Sequence, residues 1–167
     1  MADNKRDKVK EHSAESDLQE KVLFINRCSK VVKGGRRFSF SALVIVGDGK
    51  GKVGMGFGKA NEVTDAIRKA LQDGKKSLVF FELEGDTIPH DVEAIYDGAH
   101  VLIKTAKKGT GVIAGSHVRS ILEIAGVKDV VAKNLGRTNP SNQVRATFEA
   151  LSQLQNKATA LAFRGKL

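Results

Sequence analysis

The sequence predicts an α+β protein of two units, a β-β-β-α unit followed by a β-α-β-α unit. Apolar and polar residues alternate over much of the stretch 22–57, which is typical of strands with one covered face. A helix follows, because apolar residues recur at helical spacing at Val63, Ala66, Ile67, Ala70 and Leu71. The cluster Glu84-Gly85-Asp86, followed by Pro89, marks the seam between the units. A length of 167 residues is sufficient for two such small domains.

The first unit is expected to contain three antiparallel strands. The first strand starts at Val22, and the stretch 33–37, Lys-Gly-Gly-Arg-Arg, is expected to be a flexible basic loop. The second strand covers 38–46, where alternation gives way to a continuous apolar run, as in a strand that is covered more fully at one end. The glycines of 47–51 supply the positive φ angles of a tight hairpin before a third strand, 53–57.

The helix of the first unit and the elements of the second follow from similar signals. Asn61 is expected to cap that helix, and Asp73-Gly74 to end it. In the second unit the pattern predicts a strand, a helix that stops at Gly126, a further strand and a helix that begins at Asn139-Pro140. These elements are the strand 101–103, the helix 118–125, the strand 127–132 and the helix 140–154.

Composition predicts where the two domains begin and end. Residues before Leu18 include almost no bulky apolar side chain, so they cannot bury enough surface to offset the entropy lost on ordering. Near its other end the chain is expected to fray. The expected division is a flexible tail 1–19, a first domain 20–83, a second domain 88–155 and a basic tail 156–167.

The formal net charge is +9, and the charges are segregated along the chain. The stretch 21–59 carries nine bases and one acid, 60–99 four bases and nine acids, and 100–145 eight bases and two acids. Clustered Lys and Arg release counterions from a phosphate backbone, so this segregation favours a polyanionic partner. An ordinary cationic surface is the alternative that charge alone leaves open.

Several kinds of chemistry find no support in the sequence. The single cysteine, Cys28, excludes an intramolecular disulfide and a Cys-rich zinc site. The four histidines lack ligand spacing and no nucleophile–base pattern stands out, so we expect no metal, cofactor, catalytic residue or small-molecule substrate. No apolar run approaches the ~20 residues that span a bilayer, and the first residues do not resemble a secretion signal. We therefore expect a cytoplasmic protein with no membrane partner.

Two glycine patterns need an interpretation. Gly49-x-Gly51-x-x-Gly54 matches the dinucleotide-binding fingerprint, but alternation resumes at once, so a strand follows where the fingerprint requires a helix. The third-strand glycines Gly54, Gly56 and Gly58 leave one face without side chains. That face would admit either an RNA strand or the close packing of the neighbouring helix, and the pattern does not decide between them.

Two basic, glycine-containing stretches, 30–37 and 107–111, suit an irregular phosphate backbone. Phe38 and Phe40 lie at the end of the first stretch. We expect Phe40 in the core. Phe38 has two open interpretations, a core residue or a platform on which an unpaired base stacks.

Four motifs resemble those of the fifth protein of the bacterial small ribosomal subunit, in the same order. They are 31–40 (VVKGGRRFSF), 46–54 (VGDGKGKVG), 109–115 (GTGVIAG) and 136–142 (GRTNPSN), and the similarity runs from about Leu18 to about residue 155. The resemblance implies a first domain related to double-stranded-RNA-binding domains. It also implies a second domain of the left-handed β-α-β type found in that family.

The resemblance implies a structural, non-enzymatic constituent of the small subunit. Such a protein binds the subunit's ribosomal RNA at the back of the body near the head, stabilises the arrangement of head and body, and lies near the path by which messenger RNA enters. The implied protein partners are the fourth and eighth small-subunit proteins, and the contact with the fourth is linked to translational accuracy. The residues expected to bind ribosomal RNA are Arg27, Lys30, Lys33, Gly34, Gly35, Arg36, Arg37, Phe38, Lys50, Lys52 and Lys59. The residues expected at the protein interface are Lys107, Lys108, Gly109, Gly111, Arg119 and Asn139.

Two other functions stay open at this point. One is a small nucleotide-dependent transferase, because the second-domain fold resembles that of some small-molecule kinases. Against it, the chain lacks the Lys–Ser/Thr pair of a phosphate-binding loop, since Ala60 follows Lys59. The other is a free RNA-binding module outside the ribosome, which differs only in where the protein sediments.

Overall fold

Two four-stranded sheets and four helices make up residues 18–165, the part of the chain that the computed structural model describes. The strands are β1 Gln19–Val32, β2 Gly35–Gly47, β3 Lys52–Ala60, β4 Val79–Phe80, β5 Val92–Tyr96, β6 Ala99–Thr105, β7 Val112–Ile113 and β8 Val130–Asn134. The helices are α1 Val63–Lys76, α2 Ser116–Ala125, α3 Pro140–Ser152 and α4 Lys157–Phe163. These elements confirm the predicted α+β class. The predicted tail 1–19 lies outside the described residues except for its last two.

The first sheet has the strand order β1-β2-β3-β4, and neighbouring strands are antiparallel, as predicted for the first three. The prediction of a flexible loop at 33–37 is wrong, because β1 and β2 pair as far as Val32 and Gly35. Only Lys33 and Gly34 remain between the strands, and Gly34 adopts a φ of +101°, which costs glycine little. The basic stretch is therefore the end of a long hairpin.

Helix α1 covers one face of the first sheet, with Ala66, Ala70 and Gly74 buried. Its N-cap is Glu62 rather than the predicted Asn61, and no side chain makes the capping hydrogen bond. The helix also runs past Gly74 to Lys76, because Gly74 lacks the positive φ with which a glycine ends a helix and lies instead against β3.

The glycines of β3 allow helix α1 to pack closely against the sheet. Gly54, Gly56 and Gly58 are buried beneath α1, and a Cβ built at Gly56 would overlap the carbonyl oxygen of Ala70. A Cβ at Gly58 would likewise overlap the Ala66 carbonyl oxygen. Of the two interpretations of the bare face, helix packing is therefore correct, and the one in which an RNA strand lies there is wrong.

The second sheet has the order β5-β6-β8-β7, with β7 parallel to β8 and the other pairs antiparallel. Helix α2 ends at Gly126, whose φ is +91°, and α3 begins at Pro140 behind its N-cap Asn139, both as predicted. The sequence pattern does not predict β5 or β7, which are only five and two residues long. β8 begins at Val130 rather than at 127, and the chain forms α4 where fraying is expected.

The covered faces of both sheets meet in one hydrophobic core. Leu43, Ile45 and Val53 lie on the face of the first sheet opposite α1 and belong to the same buried cluster as the inner residues of α2. A smaller cluster lies between α1 and the other face of β2. Because β2 is covered on both sides over 41–47, this part of it reads as a nearly continuous apolar run.

A hairpin joins the two units by hydrogen bonds as well. The amides of Gly49 and Gly51 donate to the carbonyls of Ile124 at 3.0 Å and Ala125 at 2.9 Å, at the end of α2. Carbonyls in the last turn of a helix have no partner within it, so the hairpin satisfies them. A Cβ at Gly126 would overlap the Gly49 carbonyl, which fixes how closely the units approach.

Candidate nucleic-acid interface

A two-stranded ribbon projects from the first sheet. β3 pairs with β2 only as far as Phe40, opposite Ala60, whereas β1 and β2 continue together to the turn at Lys33–Gly34. At about 3.4 Å per residue, the six residues from Phe40 to Gly34 reach roughly 20 Å beyond the three-stranded sheet. The predicted ribosomal RNA residues from Lys30 to Phe38 all lie on this ribbon, and Arg27, opposite Phe40, lies at its base.

The pairing register gives the ribbon two chemically different faces. Residues directly opposite each other in an antiparallel pair share a face, and the face alternates along each strand. We call the first the cationic face; its members are Cys28, Lys30, Arg37 and Ser39, with Val32 and Gly35 beside the turn. We call the second the mixed face; its members are Arg27, Ser29, Val31, Arg36 and Phe38, with Phe40 at its base. All of these residues are exposed except Val32, Ser39 and Phe40, which are half-buried.

Two cations stand opposite each other on the cationic face. Lys30 pairs with Arg37 in the register, and like charges in such a pair cost about 0.2–1 kcal/mol relative to a neutral pair. Within residues 18–165, the five ion pairs use other cations, so no carboxylate neutralises Lys30, Lys33 or Arg37, nor the two arginines of the mixed face. A phosphate group between Lys30 and Arg37 would convert the repulsion into two attractions.

Phe38 fits neither of its two sequence interpretations fully. Phe38 is 46% exposed, so it is not a core residue. The Arg27 guanidinium lies over the ring, 4.8 Å from its centroid, so one ring face is already occupied. This cation–π contact orients Arg27 before any ligand arrives. Phe40, by contrast, packs against the cluster under α1, which confirms its expected place in the core.

The structure separates the remaining predicted RNA residues. Lys59 lies at the base of the ribbon, opposite Ser41, with its ammonium 5.5 Å from the Phe57 ring. Lys50 and Lys52 lie at the other end of β2, roughly 40 Å from the ribbon turn at about 3.3 Å per residue. Lys50 and Lys52 therefore cannot act on the same stretch of backbone as the ribbon.

The glycine hairpin that contains Lys50 does not resemble a nucleotide site. The Asp48 carboxylate accepts hydrogen bonds from the amides of Lys50 at 2.8 Å and Lys52 at 3.0 Å. The amides of Gly49 and Gly51 are committed to α2, and β3 follows rather than a helix. The amides that would have to bind a pyrophosphate therefore already donate hydrogen bonds within the protein.

The predicted protein-interface loop, 107–111, is held from below by a buried acid. Asp129 is 6% exposed, and its Oδ1 accepts from the amides of Gly109 at 3.0 Å and Gly111 at 2.8 Å. Thr110 closes the turn by donating its hydroxyl to the Lys107 carbonyl at 2.7 Å. The loop therefore presents the exposed side chains of Lys107 and Lys108 on a fixed backbone.

The other two predicted interface residues lie elsewhere. Arg119 is exposed on α2. Asn139 caps α3, where its side-chain oxygen accepts from the Ser141 amide at 3.3 Å. The loop 107–111 lies beside the first residues of β8, whereas Asn139 comes after its last residue. The two therefore lie at opposite ends of that strand. The structure thus holds the four loop residues together and places Asn139 at the other end of β8.

Sequence reasoning misses the acids that organise this loop. Asp129 carries no local signal, because its partners lie about twenty residues away in the chain. Asp86 is similar: its backbone carbonyl accepts from the amides of Lys128 and Asp129, and its carboxylate lies 2.8 Å from the Lys128 ammonium. The hydrogen bond and the charge of Lys128 lower the pKa of the Asp86 carboxyl, and Asp86 in turn raises the pKa of Lys128.

Two further observations concern the part of the chain between 18 and 165. No three His, Cys, Asp or Glu residues there lie together in a way that could hold a metal ion. No helix in that range is both long and apolar enough to cross a membrane.

Comparison with known proteins identifies the family. The model of ribosomal protein S5, N-terminal domain, matches residues 18–82, and that of ribosomal protein S5, C-terminal domain, matches 94–162. The chain is 61% identical over 166 residues to small ribosomal subunit protein uS5 of Protochlamydia amoebophila, covering 99% of each chain. It is 60% identical over 151 residues to the uS5 protein of Chlamydia abortus, covering 90% of this chain and 92% of that one.

These matches confirm the resemblance found in the four motifs. The family consists of structural rather than catalytic proteins, so the transferase alternative is wrong and the expectation of a non-enzymatic protein is confirmed. The two-domain organisation, the order of the motifs and the identity along nearly the whole chain all agree: the chain belongs to the ribosomal protein S5 family.

Proposed function

We propose that the chain is a structural constituent of the small ribosomal subunit and that the ribbon is its principal contact with the subunit's RNA. The observation that carries this proposal is the pair of Lys30 and Arg37 on the cationic face, which no carboxylate of residues 18–165 neutralises. Arg27, Lys33 and Arg36 add three further cations within the same projection. A surface of this kind suits an RNA backbone, because affinity for RNA rises with the number of phosphates that are neutralised.

Glycine contributes to this contact through its size and its backbone freedom. Gly34 and Gly35 have positive φ and no atom within 4 Å of a built Cβ, so both lie open at the turn. An RNA strand can therefore approach the backbone there more closely than it could at any larger residue. Lys33, between the two strands, adds a charge at the point of closest approach.

The second domain supports a protein contact. We propose that Lys107, Lys108, Gly109 and Gly111 bind the fourth small-subunit protein, with Arg119 on the neighbouring helix, and that this contact contributes to translational accuracy. The support is the rigid presentation of the loop by Asp129, since a fixed backbone loses little entropy when a partner binds. For Asn139 the capping hydrogen bond supports an indirect role, in which it shapes the start of α3.

Further parts of the proposal rest on the family alone. These are a place at the back of the body near the head, a role in the arrangement of head and body, the eighth small-subunit protein as a partner, and proximity to the path of messenger RNA. The cytoplasmic location and the domain limits at 20–83 and 88–155 are proposed from the sequence patterns described above. Lys50, Lys52 and Lys59 are proposed as additional RNA contacts. Since Lys50 and Lys52 lie far from the ribbon, they would touch a separate RNA segment.

The ribbon contact is tested by removing two charges from it. We expect the double variant Lys30→Gln/Arg37→Gln to bind purified small-subunit ribosomal RNA more weakly. Its plot of log affinity against log salt should be shallower by about 1.5–2, the slope that two phosphate contacts contribute. The matched control is Lys104→Gln/Lys133→Gln, which makes the same charge change on two exposed residues of the second sheet. Equal losses in the two double variants would show that only net charge matters and would overturn the proposal.

A further inference from the structure

An exposed apolar residue lies near the tip of the ribbon. Val31 is 74% exposed, and it shares the mixed face with Phe38, which is 46% exposed. Single exposed apolar residues are ordinary on protein surfaces. This pair is different, because it lies on an extension with no core of its own and stands between two arginines, Arg27 and Arg36.

The geometry of the mixed face leaves one part of this patch open. Arg27 covers the Phe38 ring from one side, at 4.8 Å. Arg36 stands directly opposite Val31 in the register, so their Cβ atoms are about 4.5–5.5 Å apart. The uncovered apolar surface therefore consists of the Val31 methyl groups and the free part of the Phe38 ring, and the exposed Ser29 lies opposite Phe38. The flanking guanidinium groups have no carboxylate partner within the described residues.

We propose that the mixed face binds the sugar and base surface of the RNA, with Val31 and Phe38 as its apolar contacts, while the cationic face binds phosphates. This inference rests on the proposed function, since it assigns the second face of the same ribbon. The proposal thus makes Val31 an RNA-contacting residue, a role that valine as a residue type does not indicate.

The positive charge beside the apolar patch favours RNA rather than a protein as its partner. A protein that covered the patch would need acidic groups beside an apolar surface, at the spacing of Arg27 and Arg36. RNA supplies both kinds of surface in every nucleotide, an apolar sugar and base next to a phosphate. Guanidinium groups suit this mixture, because they pair with phosphate and also stack on flat rings. The wide, shallow minor groove of an RNA helix and its unpaired loops both expose such a surface.

The two faces should then respond differently to salt. Phosphate contacts weaken as the salt concentration rises, whereas the burial of apolar surface does not release counterions. A change on the cationic face should alter the slope of affinity against salt. A change at Val31 should lower the affinity by a similar factor at every salt concentration.

The first experiment measures binding of the full-length Val31→Thr variant to purified small-subunit ribosomal RNA. Threonine keeps the branched shape and the strand preference, so the ribbon should form normally, as circular dichroism can check. We expect binding to weaken about fivefold with an unchanged salt slope, because one buried methyl group is replaced by a hydroxyl. The control is Ile95→Thr, a similar exchange at an exposed residue of β5, and it should bind as wild type.

The outcomes separate this inference from the function on which it rests. If Val31→Thr binds as wild type while Lys30→Gln/Arg37→Gln loses affinity, the ribbon contact stands and the assignment of the mixed face is overturned. If neither variant loses affinity, both fail. If Ile95→Thr loses as much as Val31→Thr, the effect is not local to the ribbon and the inference also fails.

The second experiment measures how well RNA protects a thiol on each face of the ribbon from alkylation. Cys28, the only cysteine in the sequence, is exposed on the cationic face. The double variant Val31→Cys/Cys28→Ser moves that thiol to the mixed face. We expect ribosomal RNA to slow alkylation by iodoacetamide in both proteins by at least about fivefold. A thiol at position 31 that stays reactive with RNA alone and is protected only in the assembled subunit would mean that a protein covers the mixed face, and would overturn the inference.

Discussion

The buried carboxylate of Asp129 is expected to determine whether the loop 107–111 keeps its shape. Its Oδ1 accepts from the amides of Gly109 and Gly111 at 3.0 and 2.8 Å. Hydrogen bonds to a charged group contribute about 1.5–3 kcal/mol each. The loop amides regain water when the acid is removed, so the lower value applies to both. Asp129→Ala should then lower the free energy of unfolding by about 3 kcal/mol.

Two measurements follow this change, one global and one local. Urea denaturation gives the loss in free energy of unfolding, and amide hydrogen exchange reports on Gly109 and Gly111 directly, where we expect faster exchange in the variant. Asp129→Asn keeps a neutral oxygen acceptor, so it should lose about half as much, since charged hydrogen bonds are roughly twice as strong as neutral ones. The control is Asp65→Ala, because Asp65 is exposed and its ion pair with Arg68 is long, at 3.9 Å.

The reasoning is refuted if Asp129→Ala costs less than about 1 kcal/mol and the two amides exchange as in wild type. The same variant also tests the proposed protein contact. If the loop binds the fourth small-subunit protein, Asp129→Asn should weaken that binding while RNA binding through the distant ribbon stays unchanged. Parallel losses in both would indicate general destabilisation instead.

Two further predictions concern packing and pH. Gly56→Ala should lower the free energy of unfolding by about 3 kcal/mol, because the new methyl group overlaps the Ala70 carbonyl and α1 must move off the sheet. Gly115→Ala, with open space at its Cβ and a φ of −64°, should change it by less than about 1 kcal/mol in the same urea titration, and equal losses would contradict the packing argument. For Asp86, whose pKa is lowered from 3.8 by Lys128, stabilisation is present above pH 3.8 and is lost as pH falls through the lower pKa of the folded state. Wild type should therefore resist urea better than Asp86→Asn at neutral pH, and a difference that persists well below pH 3.8 would rule out the ion pair as its source.

Elements with a local chemical signal are those that the sequence predicts well. Gly126 ends α2 because glycine adopts a positive φ without strain, and Asn139-Pro140 starts α3 through a side-chain cap and a proline at the first helical position. The same applies to the strands of the first sheet, because the alternation of apolar and polar residues shows which face is covered. In each case the residue's own chemistry, or that of its near neighbours, decides the outcome.

The features that sequence analysis misses depend on distant parts of the chain. Lys50 is close to the ribbon residues in sequence, but an antiparallel strand of thirteen residues separates it from them and places it at the far end of the sheet. Asp129 lies beside Lys128 in the predicted strand 127–132, and nothing in the local sequence indicates that it is buried and accepts hydrogen bonds from the loop 109–111. The bare face of β3 is ambiguous for the same reason, since residue type shows that something approaches closely but not what it is.

The ribbon itself was harder to predict than the sheet from which it extends, and the reason bears on its function. A two-stranded hairpin is marginally stable on its own, and here it begins beyond Phe40, the last residue of β2 that pairs with both neighbours. Beyond that point the opposed Lys30 and Arg37 work against pairing. Lys30→Gln/Arg37→Gln should therefore leave the protein as stable as wild type or up to about 1 kcal/mol more stable, while its RNA binding falls. Stability and affinity that move in opposite directions indicate a surface whose charges serve a ligand rather than the fold.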